Sequence, residues 1–271
     1  MNKFLLTSLF ATIACTVFVS CGNIQPIIEV PIDDELPDIT KGRVALDLIS
    51  PDLADTAESV ISYQFYTSTD KSYKDSVNCI VKNFVHENAD MVGSELIDCT
   101  LSGAYFEKQL NNFAAVYSSE AADDMNQFGI WSLEMDTYIE EERKEFIEVF
   151  MHVWVYSGGA HGNSYSTVSL IDKNTGVSLY LEDFFSDIDA LDAIADPIFR
   201  QDQGLMYDED LSDAGFWFDE GRFHVNSNFS FNGQSITFSF NPYEIASYAA
   251  GSIDVTIPIE QIKHLLKRSI D

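Results

Sequence analysis

The residues most able to do chemistry sit in one glycine-rich stretch, Tyr156-Ser157-Gly158-Gly159-Ala160-His161-Gly162. Gly158 and Gly159 permit positive φ and close backbone approach. Together with Gly162 they would present the His161 imidazole at the end of a strand, where it could bind a ligand, take up a proton or coordinate a metal. The plainer reading is a tight turn whose histidine bonds nearby carbonyls. It weighs more, because no nucleophile or acid partner for His161 is identifiable in the sequence. Tyr243 and Glu244 pose the same choice between a ligand groove and an aromatic corner with a capping carboxylate. Trp217, between the acids of residues 208–220, is either an apolar anchor beside the charge or a plug in the core. Asp208-Glu209-Asp210 and Asp213 are acidic enough for calcium but lack the glycine and spacing of an EF-hand, and a solvated acidic loop is the default. No metal site, cofactor or catalytic residue is assigned. The sequence has no G-x-S-x-G elbow, no H-E-x-x-H and no nucleotide-binding loop.

The elements that must position these residues follow from periodicity. Tyr73 to Met91 carries Val77, Ile80, Val81, Phe84 and Val85 at helical spacing, and Gly103 to Tyr117 predicts a second helix. Val60 to Thr67 alternates as a strand. Glu134 to Ile139 and Glu145 to Tyr156 predict a hairpin whose second strand is apolar on both faces, which belongs inside a covered sheet, with His152 as a hydrogen-bonded core histidine. Ser166 to Ile171 and Val177 to Leu181 flank a turn at Asp172–Gly176. Ile188, Leu191, Ala195 and Ile198 mark a helix that Pro197 restarts or kinks. Asn232-Gly233 between phenylalanine-rich strands predicts a type I′ turn, and Pro258 opens a helix running through Leu266. Without a regular β-α alternation the fold class is α+β: two small domains of mainly antiparallel sheet with helices packed on one side.

The N-terminus has its own chemistry. Lys3, the apolar run Phe4 to Val19 and the small residue Ser20 before Cys21 have the order of an export signal over residues 1–20. The ending resembles a lipobox, in which the Cys21 sulfur is acylated, although Phe18 stands where leucine is usual. Attachment to the membrane through the lipid anchor alone is therefore expected, in the bacterial cell envelope, either periplasmic or at the cell surface. Residues 21–43, with Pro26, Pro31, Pro37 and Asp33-Asp34-Glu35, read as an acidic tether. Domains are expected at 44–163 and 164–271.

Cys15 leaves with the signal and Cys21 takes the lipid, so Cys79 and Cys99 remain for one disulfide in an oxidising compartment. Cys79 lies off the apolar stripe of its helix, where a lone thiol would be easily oxidised. The formal charge of the chain is −29, from 44 acids against 15 Lys and Arg, and loss of Lys3 makes it one more negative. Such a surface repels nucleic acid and favours cationic partners, or it simply keeps the protein soluble. With 46% hydrophobic and 13% aromatic residues the chain can still bury a real core.

The loop Tyr156 to Gly162, then Thr175-Gly176, Leu181-Glu182-Asp183-Phe184-Phe185, Asn241-Pro242-Tyr243-Glu244-Ile245-Ala246, Tyr248-Ala249, Gly251 and Val255-Thr256-Ile257-Pro258 together resemble the RsiV/PdaC-like family. That family pairs two small α+β domains of uncertain biochemistry, found in a lysozyme-sensing anti-sigma factor and beside a peptidoglycan deacetylase domain. The resemblance implies a non-catalytic envelope module that binds a cationic protein such as a lysozyme, or peptidoglycan. The five histidines never fall four apart, as the deacetylase's metal site requires, so that activity is not expected to carry over. The alternative is a hydrolase or metal-dependent envelope enzyme using His161.

Overall fold

The computed structural model describes residues 38–50, 55–90, 93, 98–122, 129–140 and 143–270. The expected signal, Cys21 and nearly all of the tether lie outside the described residues. The chain opens with β1 (Ile39–Ile49) and β2 (Thr56–Tyr66), then α1 (Ser72–Ala89) and α2 (Gly103–Ala122), then β3 (Ser132–Glu140), β4 (Phe146–Tyr156), β5 (Asn163–Asp172) and β6 (Ser178–Leu179). These strands form one sheet in sequence order. Every neighbouring pair is antiparallel except β2 and β3, whose connection runs through the two helices and leaves them parallel. Val77, Val81 and Val85 of α1 and Phe106, Leu110 and Phe113 of α2 are fully or nearly fully buried in a core shared with the sheet residues Ile61, Met135, Val149 and Val153. The helical stripe of α1 is thus a packing face. Cys79, off that stripe, is disulfide-bonded to Cys99 with Cα atoms 4.6 Å apart.

The second unit contains α3 (Leu181–Phe184), α4 (Ile188–Asp202), a three-stranded antiparallel sheet of β7 (Phe229–Phe231), β8 (Ser235–Phe240) and β9 (Ile253–Pro258), and α5 (Ile259–Ile262). Ten phenylalanines, among them Phe184, Phe199, Phe229 and Phe238, fill its core. The architecture is α+β, with mostly antiparallel strands in two sheets.

Both boundaries expected from sequence differ from the structure. Strand β1 starts at Ile39, paired with Tyr66, so the folded part begins before residue 44. The buried Lys74 Nζ fixes that start, bonding Asp38 and Asp70 at 2.9 Å each. A cut at residue 163 would remove β5 from the sheet, since β5 pairs with β4 from Asn163 to Asp172. The first sheet ends at Leu179, and its strands also give Phe146 and Leu170 to the second core.

Two side-chain devices hold the units together. Beyond its short pairing with β6, the free edge of β5 meets asparagine amides in place of a further strand. Asn241 accepts from Ser166 N–H and donates to Ser166 C=O, while Asn228 accepts from Val168 N–H and donates to the same carbonyl. At the other end of the seam, fully buried Glu148 accepts from Arg143 Nε at 3.3 Å and from Phe231 N–H at 3.1 Å. Arg143 in turn donates to the Phe231 and Ile270 carbonyls.

Three further expectations need correction. In the 232–235 turn only Gly233 has positive φ, and Asn232 N–H bonds Ser235 C=O. Gly233 and Gln234 are therefore the central residues of a type II′ arrangement, not I′. The last helix ends at Ile262, because Phe185 and Leu266 form a β-bridge and Lys267 N–H bonds Phe184 C=O at 2.7 Å. Tertiary pairing there overrides helical spacing. Strand β4 is covered on both faces only at Phe146 and Glu148, while Phe150, His152 and Trp154 are only partly buried. His152 is no core histidine: its Nδ1 lies 2.9 Å from the exposed Ser166 Oγ.

Candidate functional site

The β4–β5 connection is built as the glycines demand. Gly158 and Gly159 have φ of 96° and 101°, and Tyr156 Oη donates to Gly159 C=O at 3.0 Å, pinning the loop to the end of β4. A Cβ on Gly162 would lie 2.6 Å from the Trp154 indole, so only glycine lets the chain close over that ring.

His161 is exposed at the loop's tip. Its Nδ1 donates to Gly162 C=O at 2.7 Å, and Nε2 lies 3.5 Å from Tyr243 Oη. The ring stacks on Tyr248 with centroids 4.0 Å apart and planes 15° from parallel. Tyr248 Oη also donates to Gly162 C=O at 2.9 Å, and Tyr243 lies 5.4 Å from Tyr248. The loop of the first unit and the 241–251 segment of the second thus meet in one aromatic cluster. Tyr243 is half exposed at 51% with φ of 70°, a left-handed conformation that costs a bulky residue energy and turns its ring outward.

The cluster joins Tyr156, Gly158, Gly159, His161, Gly162 and Tyr243. Glu244 is adjacent but structurally committed: one carboxylate oxygen accepts from Asn241 N–H at 2.8 Å and the other from Asn226 Nδ2 at 2.7 Å. It is a capping carboxylate. Trp217 is 53% exposed and is no core plug; its backbone N–H bonds Ile245 C=O at 2.8 Å, but its ring pairs with no other aromatic ring among the described residues. Phe218 is the residue turned inward, against Phe199 and Phe223.

Among the described residues His161 makes no ion pair and no hydrogen bond to a carboxylate. The histidines that meet acids lie elsewhere. His224 Nδ1 is 2.9 Å from Asp192 Oδ2, in a 500 Å³ cleft also lined by Asp189, Asp196 and Arg200. The other, His86, lies 3.3 Å from Asp90 at the end of α1. In the 208–213 loop, Asp210 accepts from Ser212 and Asp213 N–H, and Glu209 from Met206 N–H. These carboxylates cap local turns, and no group of three His, Cys, Asp or Glu that could hold a metal ion occurs among the described residues.

Sequence reasoning missed Tyr248 as the partner of His161, and missed the pairing of His152 with Ser166. A tyrosine four residues after Glu244 was a visible signal for the first. The second depends on strand register, which sets His152 opposite Ser166.

Comparison with known proteins reaches the second unit by sequence and nearly the whole chain by structure. Residues 182–260 match the DUF3298 family model. That family is described as a protein of unknown function. The DUF3298 region contains Trp217, Tyr243, Glu244 and Tyr248, while His161 is contributed from outside it. No curated protein matches the chain. A crystal structure of a DUF3298 family member from Bacteroides fragilis aligns with TM-score 0.64 at 19% identity, covering 85% of this chain and 94% of that one. A DUF3298 family protein from Pseudomonas aeruginosa aligns with TM-score 0.55 at 17% identity, covering 87% and 96% respectively. At such identities the likeness shows the fold alone. No described helix is long and apolar enough to cross a membrane.

Proposed function

We propose that the chain is a cell-envelope lipoprotein acting as a non-catalytic binding module, with a cationic protein of the lysozyme kind or peptidoglycan as its ligand. One observation carries the reading: His161 is exposed, stacked on Tyr248 and bonded to a backbone carbonyl, and no carboxylate among the described residues bonds to it. An imidazole so held is a recognition surface. A general base would need a nucleophile whose proton it could take, and an acid to stabilise the imidazolium that forms. The hydrolase or metal-dependent alternative built on His161 receives less support for the same reason. Exposed Tyr243 and Trp217 supply rigid aromatic anchors, and a charge of −29 supplies attraction for a basic partner while opposing nucleic acid.

Titration of the mature domain with lysozyme by calorimetry, at low and at physiological salt, tests the reading. Binding is expected to persist at physiological salt and to weaken about tenfold on Trp217→Ala or Tyr243→Ala. Binding lost at modest salt and indifferent to both substitutions would reduce the attraction to unspecific charge. Absence of heat at either salt would remove lysozyme and leave peptidoglycan, checked by co-sedimentation with insoluble sacculi. The address is tested separately: Cys21→Ala is expected to accumulate as an uncleaved, unacylated precursor. Normal cleavage with retained membrane attachment would overturn the lipoprotein reading.

A further inference from the structure

The helices cover one face of the six-stranded sheet, and the register defines what stands on the other. Glu134 pairs with Trp154, Asp136 with His152 and Tyr138 with Phe150, all on the face away from α1 and α2. These pairs stack along the strands in rows about 7 Å apart, with neighbouring strands about 4.8 Å apart. Glu134 and Asp136 are exposed, and neither has an ion-pair partner among the described residues. Beside them Tyr138 is 46% exposed, and Phe150 and Trp154 are partly so. Strand alternation normally puts small polar or charged residues on a solvated sheet face, and here β4 puts aromatic rings there.

We infer that the end of this face that the second unit leaves open, carrying Glu134, Asp136 and Tyr138 on β3 and Phe150, His152 and Trp154 on β4, is a docking surface for an arginine- and lysine-rich patch on another protein. The inference rests on the binding-module reading and names its contact surface. A carboxylate one strand away from an aromatic ring matches a guanidinium, which forks onto the carboxylate while its plane lies on the ring. A neutral or acidic partner would bury Glu134 and Asp136 without compensation, which selects against it. The row of Asp136 holds two basic side chains: His152 directly opposite, whose Nδ1 lies 2.9 Å from Ser166 Oγ, and Arg43, two strands away on β1 beyond Ser62 and held by Glu58 at 2.8 Å. Arg43 bounds the footprint on that side. On the other side Trp154 lies against Gly162, so the face continues into the His161, Tyr248 and Tyr243 cluster.

Carboxylate footprinting tests this on the unaltered mature domain. Exposed acids are coupled to glycine ethyl ester with a carbodiimide and read by peptide mass spectrometry, at physiological salt. The domain is labelled alone, with nona-arginine, with lysozyme and with a neutral chitin oligomer. Labelling of Glu134 and Asp136 is expected to fall at least about threefold with a basic probe, while Glu87 and Glu107, exposed on the helices of the opposite side, change little. The Glu134→Lys/Asp136→Lys pair is expected to weaken binding at least about tenfold, and the equally charged Glu87→Lys/Glu107→Lys pair less than about threefold. If the first pair fails to fold, the footprint on the unaltered chain decides. Lysozyme bound with Glu134 and Asp136 still fully labelled would overturn the surface and leave the binding-module reading intact. Protection by nona-arginine without lysozyme binding would keep the surface and remove lysozyme as ligand. Protection only by the chitin oligomer would overturn the cationic partner, and absence of binding by both basic probes would overturn surface and cationic-partner reading together.

Discussion

The two cores bury similar chemistry by different means. In the first, two long helices lie on long strands, and aliphatic residues at regular spacing mesh between the layers: Val77, Val81 and Val85 from α1 against Ile61, Met135 and Val149 from the sheet. In the second, strands of three and six residues and two one-turn helices leave irregular space that repeating positions cannot fill. Phenylalanine fills it instead. Phe184 alone contacts the rings of Phe146, Phe229 and Phe231 at 5.2–5.7 Å between centroids. The first core holds rings too, with Tyr63 stacked on Phe106 at 3.9 Å, but they occupy the same repeating positions as the aliphatic residues; in the second, phenylalanine is the commonest core residue and edge-to-face pairs fill space that repeating positions cannot.

That contrast is most directly broken at Phe184, which is fully buried. Phe184→Ala is expected to cost about 3–5 kcal/mol, because the irregular shell cannot collapse onto the space left behind. Val81→Ala, removing less volume from a layered core, is expected to cost about 2 kcal/mol. Urea unfolding of both variants checks the ranking, and equal costs would dissolve the distinction between the cores.

The covalent staple belongs to the regular core alone. The Cys79–Cys99 bond closes a 20-residue separation that contains the α1–α2 connection. Its removal in Cys79→Ala/Cys99→Ala is expected to cost about 3 kcal/mol. Thiol titration of the unfolded, non-reduced chain checks the bond itself, and two free thiols would refute it.

The contrast also explains what could be read in advance. Helix α1 was legible from five apolar residues at helical spacing, and the β3–β4 hairpin from alternation, because a regular layer imposes its period on the sequence. The Asp172–Gly176 turn was legible because each of its residues has a local job: Asp172 Oδ1 accepts from Asn174 and Thr175 N–H, and Gly176 has φ of 73°. The short α5 was not, because Ile262 and Leu265 are buried as a helix would bury them while the backbone leaves to pair with residues 184–186. In the aromatic cluster the loop glycines and Tyr243 stood out by type. Tyr248 did not, since its stacking on His161 joins residues 87 positions apart through the packing of the two units. The boundary near 163 failed for a related reason. The glycine-rich loop ends at Gly162, but hydrogen bonding carries the sheet on to Leu179.

A further expected effect, no larger than that of Val81→Ala, concerns the seam where the two cores meet, and it depends on pH. Asp172, buried at the end of β5, accepts from Arg268 Nη2 at 2.7 Å. Burial alone would raise its carboxyl, but the N–H groups of Thr175 and Asn174, the Thr175 hydroxyl and Arg268 outweigh burial and hold it below the ordinary value of 3.8. Glu148, at the same seam, goes the other way: burial pushes its carboxyl up, against the opposing pull of Phe231 N–H and Arg143. A depressed acid contributes stability that is fully present above its unfolded value and is lost as pH falls through its folded one. A raised acid contributes stability at low pH that is lost as pH rises through its folded value. The two slopes oppose each other in the wild-type curve, so only a difference between variants separates them. Asp172→Asn is expected to cost about 2 kcal/mol at pH 7, where a charge-assisted bond to Arg268 disappears. That cost is expected to shrink at pH below 3.8, as the wild-type carboxyl itself takes up a proton. Urea unfolding of wild type and variant at pH 7, 4 and 2.5 measures it. A cost that stays constant down to the lowest pH would mean that Asp172 holds the seam by shape and neutral hydrogen bonds, and that its charge plays no part in joining the two cores.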